Sequence, residues 1–540
     1  MDKAPGGIIK SIACYIRHDP VRMHMPGHKG RIGCEPCGSE PKGPIDPVGP
    51  SVSGTGAVSH MAKALLDALD AVKPLDVTEI PGLDNLHYPG GAIKDMQNAM
   101  AEAFGAAATY CLINGATCGI LASLIALRMT MGPGMVIVPR NAHRSIISGL
   151  ILSGLDPLFV YPEYDRSFGG YLPLKVADIQ AQLMEGVSKD CPDLARQGRV
   201  CGIVAVNPTY AGVCGDIGGI CDYAHGCGIP VIADEAHGTL FSLSEKLPAS
   251  AIETGASLVV HGVHKTTEAF TQTGLLHVTS KCLKRFPELG TSVEEALRLV
   301  QSSSPSYILL ASLERAIHNL KQDATWVESM IKSAHLMKRE LSNVRGIRVR
   351  TPENAKWDPA KILVDVSGLG VSGPEVQRLL WDKARVVPEM VGSDYVVLMV
   401  TGADTAGDVE KVVRAFRGIS NRCVEQGYFT TTQSDESRPG RAGACAGLLG
   451  HEPPRAEAVI PLSQAFYSRS REYSLEQAVG KISCDTVLIY PPGSPVVVPG
   501  EKMTEEIVEY LRQAMNCGLE VVGRGYSGSE KELKVFCLDQ

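Results

Sequence analysis

A lysine and an aspartate each follow an apolar run closely enough to stand at the C-terminal end of a buried strand. Lys265, in HGVHKTTEAF, comes after SLVV, and Asp234, in DEAHG, comes after IPVIA. An amine in such a place loses part of its water, its pKa falls, and it can form a Schiff base with an aldehyde. A carboxylate nearby can keep a pyridine nitrogen protonated so that the ring draws in electrons. Together the two residues point to the chemistry of pyridoxal 5'-phosphate. Singly, each has a plainer reading: Lys265 as a surface lysine, Asp234 as the N-cap of the next helix.

Other segments end at comparable positions. INGATCGILASLIAL opens a helix with small residues, so the backbone N–H groups of Gly115, Ala116, Thr117 and Cys118, with the Thr117 hydroxyl, offer a phosphate cradle. The same text is also an ordinary tight turn. His143 in PRNAHRS follows the run MVIV; it can stack on a flat cofactor or face solvent in the first turn of a helix. His237, three residues after Asp234, suits either a ring pocket or a satisfied core site. Asn207, Pro208 and Thr209 follow GIVAV at the same edge.

The elements that must position these residues alternate between short apolar runs and helical text. MVIV, PLFVY, GIVAV, IPVIA and SLVV read as strands, and segments such as HRSIISGLILSGL and IGGICDYAHGCG read as helices. This alternation predicts an α/β fold with a largely parallel sheet covered on both faces, and ligands beyond the carboxyl ends of its strands. KDMQNAMAEAFG is a helix closed by Gly105. A helical stretch spans residues 308 to 342 and leads into GIRVR, AKILVDV, GPEVQRLLWDKA and YVVLMV, an α+β pattern. The predicted organisation is an N-terminal arm (1–60), a large cofactor-binding domain (61–305), a small α+β domain (306–429), a Gly/Pro-rich linker (430–458) and a separate C-terminal α+β domain (459–540).

Composition narrows the function classes. With 52 basic and 59 acidic residues the formal charge is −7, and no long single-sign block occurs, which argues against nucleic acid as a partner. No run approaches the roughly 20 apolar residues a membrane span needs, and the N-terminus lacks the apolar core of a secretion signal. The 16 cysteines are scattered through apolar text as reduced thiols are, which predicts a cytoplasmic protein. The single CxxC, Cys34 to Cys37, has no second ligand pair, so no metal site is expected.

The ordered segments MHMPGHKG, DVTEIPGLDNLHYPGG, NGATCG, RNAHRS, NPTYAGV, DEAHG, VHKTTEAFTQTGLLH and QSSSPSY resemble the motif series of the Orn/Lys/Arg decarboxylases. AFYSRSREYSLEQAVGKISCDTVLIYPPGSPVVVPGE resembles that family's C-terminal domain. The likeness is to the shorter form without an N-terminal wing domain, typical of Gram-positive bacteria. It implies a PLP-dependent transferase-like (fold type I) major domain with a mainly parallel seven-stranded sheet, a smaller α+β domain and a separate C-terminal domain. It also implies pyridoxal 5'-phosphate as cofactor, an amino-acid substrate, polyamine-related metabolism and a homodimer or higher homo-oligomer. By the resemblance Lys265 is the Schiff-base lysine, with His264 beside it near the reacting carbon. Asp234 meets the pyridine nitrogen, His143 stacks on the ring, Ala116 and Thr117 lie in the phosphate loop, and His237 sits in the cofactor pocket. The chain departs from the pattern at Gly262, where the family has a phosphate-binding serine. It also departs at Ala116, which lacks a hydroxyl, at Gly238-Thr239-Leu240, where a second histidine is common, and at Tyr88 and Gly90.

The expected reaction is therefore decarboxylation of arginine, lysine or ornithine. Two other readings stand beside it. One is an aminotransferase or lyase, which requires an arginine such as Arg350 or Arg385 gripping the α-carboxylate. The other is a non-catalytic regulatory descendant of the fold.

Overall fold

The computed structural model describes residues 8–30, 55–165, 170–186, 200–351, 356–427, 452–490, 493–526 and 533–539. The Cys34–Cys37 pair and most of the expected linker, like residues 31–54 of the expected arm, lie outside the described residues.

The runs Val200–Val206, Val231–Asp234 and Leu258–His261 are almost wholly buried, as strands covered on both faces must be. They form the middle of a seven-stranded sheet whose order is Ala108–Leu112, Gly274–Val278, Leu258–His261, Val231–Asp234, Val200–Val206, Met135–Pro139, Asp156–Val160. Gly274–Val278 runs antiparallel to both its neighbours, and the other pairings are parallel. Alternate side chains serve opposite faces. Val136, Val138, Val204, Ile232 and Val260 pack with helices Gly115–Met131, Arg144–Ser153 and Pro287–Val300. Ile137, Ile203, Val231 and Val259 pack with Ala92–Phe104, Ile217–Gly226 and Tyr307–Gln322. The mainly parallel seven-stranded sheet expected from the sequence is thus present.

The helical text of 308–342 is two helices, Tyr307–Gln322 and Thr325–Ser342. Asp323 separates them by accepting the Thr325 N–H at 2.8 Å and its hydroxyl at 2.6 Å, a local bond that competes with helix continuation. The first helix packs Leu310, Leu313 and Ile317 on the large sheet, and the second packs Val327, Met330 and Met337 on the small one. That small sheet is antiparallel, in the order Arg348–Arg350, Lys361–Asp365, Tyr395–Met399, Met390–Val391.

Two long-range ties complete the site. In the first, Val21–Met23 pairs in parallel with Val386–Pro388 and delivers Gly27 against the Lys265 segment. The Gly27 N–H donates to the His264 carbonyl at 2.8 Å, and the Thr401 hydroxyl donates to the Gly27 carbonyl at 2.7 Å. The second tie joins the C-terminal region to the large sheet. Arg140, just beyond Met135–Pro139, pairs through two nitrogens with Glu501 at 2.6 and 2.8 Å and donates to the Val496 carbonyl at 2.6 Å. Both side chains are buried, so removing one partner would strand a charge at a cost of about 3–5 kcal/mol.

A Cβ at Gly27 would stand 2.3 Å from the Thr267 carbonyl oxygen and 2.7 Å from its nitrogen, both backbone atoms. Gly27→Ala is therefore expected to destabilise the chain by about 1–3 kcal/mol, the scale of an overpacked contact. Thermal unfolding checks it: an unchanged Tm would mean that the arm does not press on the Lys265 segment.

Candidate active site

A cavity of ≈550 Å³ opens where the carboxyl ends of the large sheet, residues 390–393 of the small unit and the C-terminal region meet. Lys265, His264, Asp234, His143, His237, Ala116 and Thr117 all line it, as do Pro208 and Thr209. Asn207 instead turns into the sheet, donating to Glu235 Oε1 at 3.1 Å and accepting the Gly215 N–H at 3.0 Å.

Lys265 lies in the single helical turn Val263–Thr266, and its Nζ is 3.1 Å from His237 Nε2 and 5.8 Å from the centre of the Tyr210 ring. Burial lowers its pKa from the ordinary lysine value, against the opposing pull of Asp234 and Glu389. Gly262 is fitted to this fold of the chain. A Cβ there would sit 2.8 Å from the Ala236 carbonyl and 3.1 Å from Lys265 Cδ, so the serine usual in the family would need a shift of backbone. Thr239, another departure, is fully buried away from the cavity, and its hydroxyl has no partner among the described residues.

Asp234 ends its strand, accepts the Ala236 N–H on Oδ1 at 3.2 Å, and has no further side-chain partner among the described residues. Next to it, Glu235 is wholly buried and fully bonded: to Asn207, to the Ala251 N–H, to the Ser250 hydroxyl at 2.6 Å and to His261 at 2.9 Å. His261 continues to His277 at 3.1 Å, and His277 to Thr109 at 2.8 Å. This network links five neighbouring strands of the large sheet, through residues in them or just past their ends, and leaves the Asp234 carboxylate to face the cavity.

The helix Gly115–Met131 begins at the cavity with no side chain capping it; the Gly115 N–H is taken by the Gln272 carbonyl at 2.8 Å, which leaves the N–H groups of Ala116 and Thr117 to meet an anion. Ala116 is buried and Thr117 exposed. His143 is the N-cap of Arg144–Ser153, its Nδ1 accepting the Ser145 N–H at 3.2 Å. The plainer reading of His143 as a helix-start residue and its place on the cavity wall hold together. His264 Nδ1 lies 2.7 Å from the Thr273 carbonyl. A carbonyl only accepts, so Nδ1 carries the proton, and in the neutral ring Nε2 carries none.

Sequence reasoning missed several lining residues and one beneath the wall. Tyr161, Tyr164, Tyr171, Tyr395 and Tyr510 line the cavity far from any of the motifs, and Asp234 is its single carboxylate among the described residues. Arg350 and Arg385 do not line it. Arg350 is held by Asp365 at 3.1 Å and Asp394 at 2.5 Å, and Arg385 lies over the Trp381 ring at 5.0 Å. Lys361 was passed over inside the apolar text AKILVDV, where a lysine amid a buried strand was itself the signal.

Burial pushes His24, His143 and His264 each down to about 4 from 6.5. Above 6.5 the rings are neutral whether or not the chain is folded. Between 6.5 and 4 the unfolded chain binds protons that the folded chain does not, so stability is lost as pH falls through that window. The urea midpoint should decline across it, and the decline should be shallower in His264→Asn. A midpoint flat from pH 6.5 to 4 would contradict this.

Residues 69–407 match the Orn/Lys/Arg decarboxylase major domain, and residues 461–525 the Orn/Lys/Arg decarboxylase C-terminal domain. An arginine decarboxylase of Bacillus subtilis (strain 168) is 30% identical over 517 residues, covering 94% of this chain and 93% of its own. One of Bacillus anthracis is 29% identical over 519 residues, with 94% and 93% covered. Among solved structures, lysine decarboxylase A from Pseudomonas aeruginosa covers 86% of this chain and 74% of its own, with a TM-score of 0.69 at 19% identity. The Francisella novicida lysine decarboxylase LdcF covers 88% and 76%, with a TM-score of 0.68 at 18% identity. These structures share the fold described above. By the extent of its matches in both regions, the chain belongs to the Orn/Lys/Arg decarboxylase family.

Proposed function

We propose that the chain holds pyridoxal 5'-phosphate on Lys265 and decarboxylates a basic amino acid, with L-arginine the first candidate. The observation that carries this is one cavity holding a desolvated lysine, a carboxylate with spare bonding capacity and an uncapped helix N-terminus. Those features fit the cofactor's aldehyde, its ring nitrogen and its phosphate in turn. Ala116 and Thr117 would meet the phosphate through backbone N–H groups, His143 and His237 would border the ring, and Asp234 would take the ring nitrogen. When bound, the cofactor supplies an electron sink for the pair left as the bond from Cα to the carboxylate breaks.

The rest falls to the chain's own groups. No arginine is free to grip the α-carboxylate among the described lining residues, since Arg140 is committed to Glu501. A carboxylate left without a fixed cation is not held in its charged form, which favours its departure as carbon dioxide. This separates the proposal from aminotransfer. Neutral His264 has no proton on Nε2, so return of a proton to Cα is assigned to Lys265. The tyrosine wall offers π faces and hydroxyls to a cationic side chain, which supports a basic substrate. Arginine is favoured because arginine decarboxylases lead the relatives at 27–30% identity, ahead of a lysine decarboxylase at 24%.

An amine product of this kind would suit polyamine-related metabolism. Two features support the setting we infer, a cytoplasmic homodimer. The twelve described cysteines are all free thiols. Leu75, Ile80, Leu83 and Tyr88, in and beside the DVTEIPGLDNLHYPGG motif, are exposed in the single chain as a surface for a second copy would be. No described helix is long and apolar enough to cross a membrane.

Purified full-length protein supplied with the cofactor and with arginine, lysine or ornithine should release carbon dioxide with one amine in equal amount, agmatine if arginine is preferred. Lys265→Ala should lose at least about 100-fold in rate, the scale of a lost general acid. Formation of a keto acid without carbon dioxide would overturn the proposal in favour of aminotransfer.

A further inference from the structure

Lys361 lies in none of the motifs and does not line the cavity, yet it is among the largest fully buried side chains of the described residues. Its Nζ is 2.9 Å from His237 Nδ1, and the other nitrogen of that ring is 3.1 Å from Lys265 Nζ. Its remaining bonded neighbour is Met399 Sδ at 2.8 Å, and no carboxylate forms an ion pair with it among the described residues. One imidazole therefore bridges two primary amines, Lys361 fully buried and Lys265 half-buried on the cavity wall.

A neutral imidazole has one nitrogen that donates and one that accepts, whereas an ammonium only donates. If both lysines were charged, one of them would point N–H at N–H. The bridge closes when one amine is neutral and accepts from the ring while the other is charged and donates to it. Burial, with Lys265 and Lys361 on either side, lowers His237 well below the ordinary histidine value, so the ring itself is not the charged member. The other groups facing the trio are Asp234 and Glu389 toward Lys265, and Asp358 and Glu389 toward Lys361. Lys29 faces Lys361, and His143 and His264 face the ring.

We propose that Lys265, His237 and Lys361 share a single excess proton, so that Lys361 is a proton store and positioning residue for Lys265. The transfer balances. When Lys265 acts as a nucleophile, its Nζ gives a proton to His237 Nε2 while His237 Nδ1 passes its own proton to Lys361. When Lys265 must protonate Cα, the same two protons move in reverse. Lys361 touches neither substrate nor cofactor and acts only through His237. The idea rests on the reading of Lys265 as the cofactor lysine.

The test is the pH dependence of pyridoxal 5'-phosphate capture by the full-length chain, followed by the cofactor's visible absorbance. Lys361→Met should move the midpoint of capture up by one pH unit or more, about a tenfold slower capture at a fixed pH below it. In a His237→Phe background the same substitution should add no further shift, because the link is already cut. An unmoved midpoint in a variant with native-like unfolding overturns the proposal. Additive shifts in the double variant overturn it as well, in favour of a through-space charge effect. If Lys361→Met does not fold, ¹⁵N spectra of the histidine-labelled unmodified chain decide: His237 should stay neutral from pH 6 to 9, and an imidazolium at pH 7 overturns the proposal. Capture that survives Lys265→Ala would sink the assignment of the cofactor lysine, while the ring state of His237 remains a separate result.

Discussion

A primary amine in water is protonated near neutral pH and useless as a nucleophile, so the site depends on keeping the Lys265 amine out of water without pairing it to a carboxylate. Burial supplies the first condition and His237 the second: the partner at bonding distance is an imidazole, not an acid. Asp234 lies near enough to be felt, but its one side-chain bond is to the Ala236 N–H. Gly262 and Gly27 leave room for this arrangement, one behind the lysine side chain and one against the backbone two residues beyond it.

Three remote pieces of chain hold that amine in place. The arm presents Gly27 to the His264 carbonyl and Lys29 to the Met399 carbonyl at 2.9 Å, and the sulfur of that same methionine meets Lys361. Lys361 of the small unit thus reaches Lys265 through His237, and the arm bonds the backbone beside it. The C-terminal region closes the far wall, fixed by the Arg140–Glu501 pair. The arm, the small unit and the C-terminal region thus all border one cavity.

The strand ends were legible because buried parallel strands are continuous apolar runs, and functional residues stand where such runs stop. Lys265, Asp234 and His143, which line the cavity, were read that way, the helix start at Gly115 was read from its small residues, and the order of the motifs carried the family. Lys361 was not legible in its role: it meets His237 across 124 residues, through a sheet in another unit. The Arg140–Glu501 pair spans 361 residues and is equally silent in sequence. The break at Asp323 was missed because an aspartate bonding its own neighbour looks, in a helical pattern, like any exposed polar residue.

The most direct test of the central claim is to reduce the cofactor-loaded chain with borohydride, which fixes the cofactor to the amine that holds it, and to map the modified peptide by mass spectrometry. The account predicts one labelled residue, Lys265. Label on Lys361 or Lys29, or a chain that takes none, would contradict it.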